Sequence, residues 1–200
     1  GPSIPKLLGL HGHPQKEGAY LVPLESEELG IKVMSLNLLL EQADEPVIWR
    51  GPLIAKVVMQ FWQEVLWGEL DYLLIDLPPG TGDVPLTVLQ SIPVNGVIMV
   101  TTPQDLAGMV VSKAINMAKG MNIPIIGLVE NMSYLHCSQC GHKIEIFGPS
   151  RAETMSQKYG IKVLGKIPLD PNLVELSDQG KIEKYENISL FDNVAGLIIN

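Results

Sequence analysis

The strongest constraint on the fold comes from short, continuous apolar segments that alternate with helical patterns. Asp71–Leu77 is one such segment, and it runs directly into a Pro-Pro-Gly turn. A strand without polar alternation is expected where both faces of a sheet are covered, as in parallel α/β sheets. The same pattern predicts strands over 31–40, 96–101, 123–131 and 162–167. The alternation predicts an α/β fold with a doubly wound, mostly parallel sheet.

Helices are predicted between and after these strands. Apolar residues recur at helical spacing from Pro52 to Trp67, and proline is tolerated at a first helical position. Residues 9–30 are polar and broken by Gly and Pro, which predicts a long surface loop. The other predicted helices cover 105–120, 150–159, 172–176 and 190–199.

Composition favours a single globular domain. Of the 200 residues, 46% are hydrophobic and 18% are charged, so a sizeable core is available and disorder is not expected. The net charge of −8 argues against an extended surface for nucleic acid. No apolar run approaches the ~18 residues of a membrane span, and no signal-peptide pattern occurs. We expect a soluble, cytoplasmic protein without nucleic-acid or membrane partners.

Asp76 is the first candidate for chemistry, because a carboxylate at the end of a buried strand is costly unless a cation neutralises it. Mg²⁺ held on a nucleotide phosphate would supply that charge. Gly80 and Gly82 free the backbone to approach a γ-phosphate and to change conformation when it leaves. This pattern is typical of a Walker B strand running into a switch loop, with Asp76 as the catalytic, magnesium-associated acid. The alternative is an acid that merely caps the following helix.

Two further strand ends carry candidate nucleotide contacts, since ligands bind at the carboxyl ends of strands in doubly wound sheets. Asn131 follows one strand, and its amide can pair with a donor and an acceptor on a purine edge. Pro168 and Asp170 follow another strand. With Pro79 and Gly80, these residues form the predicted nucleotide-binding set. An ordinary turn residue is the alternative for Asn131 and Asp170.

Cys137 and Cys140 form a Cys-x-x-Cys-Gly knuckle, in which two thiolates chelate one metal. The following Lys-Ile-Glu-Ile-Phe predicts the return arm of a hairpin, whereas a thioredoxin-type motif would open a helix. Two thiolates do not complete a tetrahedral site. The remaining ligands come from His136 and His142, a second subunit or an exogenous group. Two knuckles across a two-fold axis would give four sulfurs, which suit zinc or a [4Fe–4S] cluster. The alternative is two unligated thiols on a loop.

Taken together, these motifs resemble the Mrp/ApbC group of iron–sulfur cluster carrier P-loop ATPases. The Trp-Arg-Gly-Pro run at 49–52, combined with the Cys-x-x-Cys, distinguishes this group from partitioning and division-site ATPases. The matching segments, in chain order, are Gly1–Pro5, Gly30–Ser35, Pro46–Pro52, Gly68–Tyr72, Ile75–Asp83, Thr101–Asp105, Val129–Ser133, Cys137–Gly141 and Ile167–Pro171.

The resemblance implies a P-loop NTPase fold of the MinD/ParA type with the Cys-x-x-Cys loop as an insertion. It implies a homodimer that binds and hydrolyses ATP with Mg²⁺ in each subunit. The dimer would hold a [4Fe–4S] cluster between the Cys137 and Cys140 pairs and deliver it to apo iron–sulfur proteins. Zinc can substitute for the cluster at the same sulfurs.

One family motif is missing: the Gly-Lys-Gly-Gly-Val-Gly-Lys-Ser/Thr phosphate loop does not occur in these 200 residues. We therefore expect residues 1–200 to form a single nucleotide-binding domain that lacks its first strand, phosphate loop and first helix. Two other functions stay open, namely a non-enzymatic zinc-bridged dimeric scaffold and a partitioning-type ATPase. The acidic charge weighs against the second.

Overall fold

A computed structural model of the chain describes residues 3–40 and 51–199, which form two compact units. Unit 1 comprises residues 3–40, 51–78, 83–92 and 171–185. Unit 2 comprises residues 79–82, 93–170 and 186–199. Residues 1–2 and 46–50, which belong to the matching segments above, lie outside the described residues.

Helices and strands are interspersed along the described residues. The α-helices are α1 (Ser3–Leu7), α2 (Gly51–Gln63), α3 (Asp83–Ser91), α4 (Asp105–Gly120), α5 (Ala152–Tyr159), α6 (Pro171–Asp178) and α7 (Asp192–Ile199). Short 3₁₀ helices cover Leu36–Leu39, Ile182–Lys184 and Ile188–Phe191. The strands are β1 (Gln15–Glu17), β2 (Tyr20–Val22), β3 (Leu24–Glu25), β4 (Lys32–Val33), β5 (Val97–Thr101), β6 (Ile125–Glu130), β7 (Leu135–His136), β8 (Lys143–Ile144) and β9 (Val163–Lys166).

Unit 2 is built on a parallel three-stranded sheet in the order β5–β6–β9. Successive side chains of β6 point to opposite faces, so Leu128 and Val129 enter different cores. Leu128 packs with residues of α4 and α5, and Val129 lies in a cluster that includes Val194 of α7. Both faces of the sheet are therefore covered by helices, which confirms the predicted α/β architecture.

The sequence predictions hold closely within unit 2. The predicted helix over 105–120 is α4, and the strands predicted over 96–101, 123–131 and 162–167 are β5, β6 and β9 to within two residues at each end. The acid Asp105 lies in the first turn of α4 and the base Lys119 in its last turn, which suits the helix dipole.

Unit 1 differs from the sequence predictions at segments where backbone pairing with another segment decides the structure instead of the local residue pattern. The predicted loop over 9–30 contains the antiparallel hairpin β1–β2, whose turn includes Gly18 at φ 62°. The helix predicted from Pro52 to Trp67 ends at Gln63, because the chain leaves it to pair with Leu21. The predicted strand over 31–40 is limited to β4 and is followed by a 3₁₀ turn.

The strand predicted over Asp71–Leu77 is absent from the structure, and this prediction is wrong. Its apolar side chains lie exposed from Tyr72 to Ile75, with Leu74 at 80% exposure. A strand needs a neighbour to pair its backbone N–H and C=O groups, and no described strand pairs with this segment. None of the helices in the described residues is long and apolar enough to cross a membrane.

Candidate functional site

The carboxyl ends of the parallel strands in unit 2 meet at one edge of the sheet. The backbone N–H of Asn131 donates to the carbonyl of Thr101 at 2.7 Å, just past the end of β6. On the other side, the N–H of Ile167 donates to the carbonyl of Glu130 at 2.9 Å. This pairing brings Asn131 and Pro168 to the same edge, where a doubly wound sheet binds its ligand.

The side chain of Asn131 is held by its own backbone neighbour. Its Oδ1 atom accepts a hydrogen bond from the N–H of Met132 at 2.9 Å. Met132 adopts φ 51°, a left-handed conformation that bulky residues rarely take and that is concentrated at functional sites. With Oδ1 engaged in this way, the NH₂ group is the hydrogen-bond donor that the Asn131 side chain offers.

The segment with Pro168 and Asp170 runs beside the chain that follows β6. The N–H of Leu169 donates to the carbonyl of Tyr134 at 2.7 Å, which fixes this segment between the two candidate residues. Both Pro168 and Asp170 are half-buried. The structure therefore gathers three of the predicted nucleotide-binding residues, including Asn131, at one edge of unit 2.

The remaining predicted residues lie in the segment from 76 to 80. Asp76 belongs to unit 1 and is exposed, so the expected buried strand-end carboxylate is wrong. Because this carboxylate is exposed, its position alone does not demand a neutralising cation. Pro79 is exposed, whereas Gly80 is half-buried with φ 89°. That backbone conformation favours glycine, as expected for a loop that approaches phosphate.

The Cys-x-x-Cys motif is the tip of a hairpin formed by β7 and β8, which confirms the predicted return arm. The N–H of Cys137 donates to the carbonyl of His142 at 2.9 Å, and the N–H of Gly141 donates to the carbonyl of Cys137 at 2.8 Å. Gly141 has φ 71°, so the turn requires glycine there. Cys137 is half-buried, Cys140 is exposed, and both are free thiols.

The knuckle geometry favours the thiolate form of one cysteine. The backbone N–H of Cys140 has the largest effect, followed by that of Gln139 and the Cys140 thiol, and together these donors lower the pKa of Cys137. A thiolate is the form that binds metals. The local structure thus suits Cys137 to the role of metal ligand.

The neighbouring histidines do not join the thiols in one site. His136 Nδ1 lies 3.2 Å from the carbonyl oxygen of Gly141, and its ring packs edge-on against Tyr134 at 5.1 Å between centroids. Within residues 3–40 and 51–199, no group of three or more His, Cys, Asp or Glu side chains is placed to hold a metal ion. Within the described residues, the candidate metal ligands of the knuckle are therefore the two sulfur atoms of Cys137 and Cys140.

Two buried polar residues at this edge were not identified from the sequence. Glu130, the last residue of β6, is fully buried, and Ser133 is 1% exposed. Oε2 of Glu130 accepts a hydrogen bond from Ser133 Oγ at 2.6 Å, and its Oε1 accepts one from the N–H of Arg151 at 2.8 Å. The available signal was an acid within an otherwise apolar strand, since burying a charge requires partners.

Comparison with known proteins places this arrangement in a family. Residues 1–198 match the family described as ParA, NUBPL iron-transfer P-loop NTPase. The chain belongs to this family. An iron–sulfur cluster carrier protein of Methanocaldococcus jannaschii is 48% identical over 182 residues, covering 90% of this chain and 62% of the relative. The corresponding protein of Escherichia coli is 44% identical, covering 90% of this chain and 48% of the relative. The chain thus spans about half to two thirds of the length of these curated relatives.

Two solved structures are similar to this chain in fold. A nucleotide-binding protein from Archaeoglobus fulgidus, solved with ADP and with cobalt, has a TM-score of 0.79 and 46% identity. The match covers 93% of this chain and 72% of that protein. The cell division protein MinD of Aquifex aeolicus matches with a TM-score of 0.52 and 18% identity over 77% of this chain and 62% of its own. The latter likeness shows the shared α/β P-loop NTPase fold.

Proposed function

We propose that this chain is part of an ATP-dependent iron–sulfur cluster carrier that holds a [4Fe–4S] cluster between two subunits and transfers it to apoproteins. The observation that carries the proposal is the Cys137–Cys140 knuckle at the tip of the β7–β8 hairpin. A resident structural metal is usually enclosed, whereas a cargo cluster must be reachable. The exposure of Cys140 suits a cluster that is handed on.

Ligand counting supports a shared site. The chain contains two cysteines, both in this knuckle, and a cubane cluster takes four thiolates. Two copies of the chain related by a two-fold axis supply the four sulfurs, and a symmetric dimer is the commonest way to bring identical surfaces together. The relatives named as iron–sulfur cluster carriers support iron and sulfide as the cargo.

A magnesium nucleotide is the proposed cofactor, and the described residues fit part of it. Within unit 2, the donor NH₂ of Asn131 is suited to a base and the left-handed backbone at Gly80 is suited to a phosphate. Asp76, in unit 1, is proposed as the magnesium-associated acid because of the Asp-Leu-Pro-Pro-Gly-Thr-Gly-Asp sequence that it begins. Pro79, Pro168 and Asp170 would line the same ligand. ADP bound to the Archaeoglobus fulgidus relative supports a nucleotide here. When bound, MgATP would supply a γ-phosphoryl group, and the transfer of that group to water, with ADP as leaving group, would change the dimer geometry.

The cradle for the β- and γ-phosphates is the part that these residues do not provide. A P-loop uses backbone N–H groups and a lysine for this purpose, and the 200 residues contain no such sequence. We therefore propose that hydrolysis requires the family's phosphate loop in addition to residues 1–200. The chain described here would hold the cluster ligands and the base-facing edge of the nucleotide site.

Anaerobic reconstitution with iron and sulfide tests the cargo directly. We expect the broad visible absorption of a cubane, loss of that absorption in Cys137→Ser and Cys140→Ser, and transfer of the cluster to an apo-ferredoxin. Ser138→Ala is the matched control, because it changes an exposed knuckle residue that has no sulfur.

The same experiment separates the proposal from its rivals. Zinc retained in place of iron under anaerobic conditions, with no cluster formed, would favour the zinc-bridged scaffold. A cluster that survives loss of either cysteine would show that the ligands lie elsewhere.

A further inference from the structure

The fully buried carboxylate of Glu130 is the least expected group in unit 2. Its side chain has 0% exposure, at the end of a strand whose preceding residues are apolar. A buried carboxylate is retained only when hydrogen bonds compensate its lost hydration. Glu130 has two such bonds, from Ser133 Oγ at 2.6 Å and from the backbone N–H of Arg151 at 2.8 Å.

The two donors lie at opposite ends of one segment of the chain. Ser133 is three residues beyond Glu130, and Arg151 is 21 residues beyond it. Between them the chain runs out to the cysteine knuckle and returns to α5. The Glu130 carboxylate therefore joins the two ends of the segment 131–151, which we term the knuckle excursion.

Other contacts fix both ends of the knuckle excursion to the rest of unit 2. The N–H of Ser133 donates to the carbonyl of Ile167 at 2.9 Å, which ties the outgoing arm to the end of β9. The guanidinium of Arg151 forms a two-pronged ion pair with the carboxylate of Asp105 at the start of α4. Both arms are thus anchored to the sheet and its helices, and Glu130 is the group that links one arm to the other.

The same residue is adjacent to the predicted nucleotide contact. Asn131 follows Glu130 directly, and Cys137 lies only four residues beyond Ser133. A strand rises about 3.3 Å per residue, so the knuckle starts at most about 13 Å from this anchor. A displacement of the strand end would therefore reach the cysteines through a short, hydrogen-bonded path.

We propose that Glu130 is a positioning residue that holds the knuckle excursion in the geometry needed to retain the cluster. The proposal rests on the proposed function, because it assigns the mechanical support of the same cysteine pair. Glutamine at this position can keep both contacts: its Oε1 accepts from Arg151, and its NH₂ donates to Ser133, whose hydroxyl also accepts. Alanine removes both contacts.

The first test is hydrogen–deuterium exchange on the metal-free protein, which does not depend on cluster binding. Glu130→Ala should raise exchange across residues 131–151 while leaving the α4 residues 105–120 unchanged, and Glu130→Gln should restore protection. Ser133→Ala removes one of the two bonds and should give an intermediate increase, so it serves if the alanine variant at 130 does not fold. Ser177→Ala is the matched control, since it removes a half-buried hydroxyl that donates to the carbonyl of Leu173 within α6.

The second test measures how fast the reconstituted cluster is lost to an iron chelator at a temperature well below unfolding. Loss should be about 10-fold faster in Glu130→Ala, as is typical when a group supporting metal ligands is removed, and near the native rate in Glu130→Gln. Equal exchange and equal loss rates in all variants would overturn the positioning role, and so would increased exchange spread uniformly over unit 2. If the native protein takes up no cluster, the proposed function fails, while the exchange data still decide whether Glu130 holds the excursion.

Discussion

Replacing Gly127 by alanine tests the close approach of β6 and β9, on which the candidate edge depends. A Cβ atom at this position would lie 2.7 Å from the carbonyl oxygen of Lys162 and would overlap the side chain of Leu164. The Lys162 oxygen is not free to move away, because it accepts the backbone N–H of Leu128 at 2.8 Å. The added methyl group must therefore separate the two strands or break this bond.

The magnitude follows from these two costs. Forcing an extra carbon into a packed interior costs about 1–3 kcal/mol, and a lost backbone hydrogen bond adds about 1 kcal/mol. We expect Gly127→Ala to lower the free energy of unfolding by about 2–4 kcal/mol. For a chain of this size, the midpoint of thermal unfolding should fall by roughly 4–16 °C.

Urea and thermal unfolding followed by circular dichroism measure this loss. Gly120→Ala is the matched control, because Gly120 ends α4 and a Cβ there meets nothing within 4 Å. The control should be neutral or stabilising by up to about 1 kcal/mol, since alanine restricts the unfolded chain. An unfolding free energy for Gly127→Ala equal to that of the control would refute the described approach of the two strands.

Three further predictions address the nucleotide and the electrostatics. Asp76→Asn should leave the free energy of unfolding within about 0.5 kcal/mol, because the residue is exposed, while abolishing ATP hydrolysis in a protein that carries the phosphate loop; native turnover in the variant would exclude the catalytic role. Residues 1–200 alone should hydrolyse no ATP, and micromolar MgATP affinity by calorimetry would reveal a phosphate site elsewhere in them. Lys166, 2.6 Å from Glu153, lowers the pKa of that carboxyl. The Lys166–Glu153 ion pair therefore stabilises the folded chain above the ordinary glutamate pKa, and this stabilisation disappears as the pH falls through the lowered pKa of Glu153. Glu153→Gln should cost at most about 1 kcal/mol at pH 7, a difference that vanishes in acid, because the carboxylate is largely exposed.

The sequence predicts unit 2 well because there the local pattern and the tertiary pairing agree. The apolar run of β6 has neighbours on both sides, and α4 carries charges that suit its dipole. The segment Asp71–Leu77 has an equally apolar pattern but no described strand beside it, so it forms no strand. An apolar and β-branched composition shows that a segment is able to form a strand in a sheet. The strand forms only where a neighbouring strand supplies the backbone hydrogen bonds.

The candidate site shows the same distinction between residue type and contact. The cysteine knuckle is predictable because its spacing and glycine dictate a local turn, and the hairpin follows from a few residues. Glu130 is different, since one of its partners, Arg151, lies 21 residues away. The sequence motif identifies the acid, but it does not identify the distant backbone N–H group whose hydrogen bond compensates the burial of that acid.

The most direct test of the central claim is native mass spectrometry of the anaerobically reconstituted protein. The shared-cluster proposal predicts a main species of two chains with one [4Fe–4S] cluster, and its conversion to metal-free chains when Cys137 or Cys140 is replaced. A single chain that carries its own cluster or metal ion would contradict the proposal that the cluster is held between two subunits.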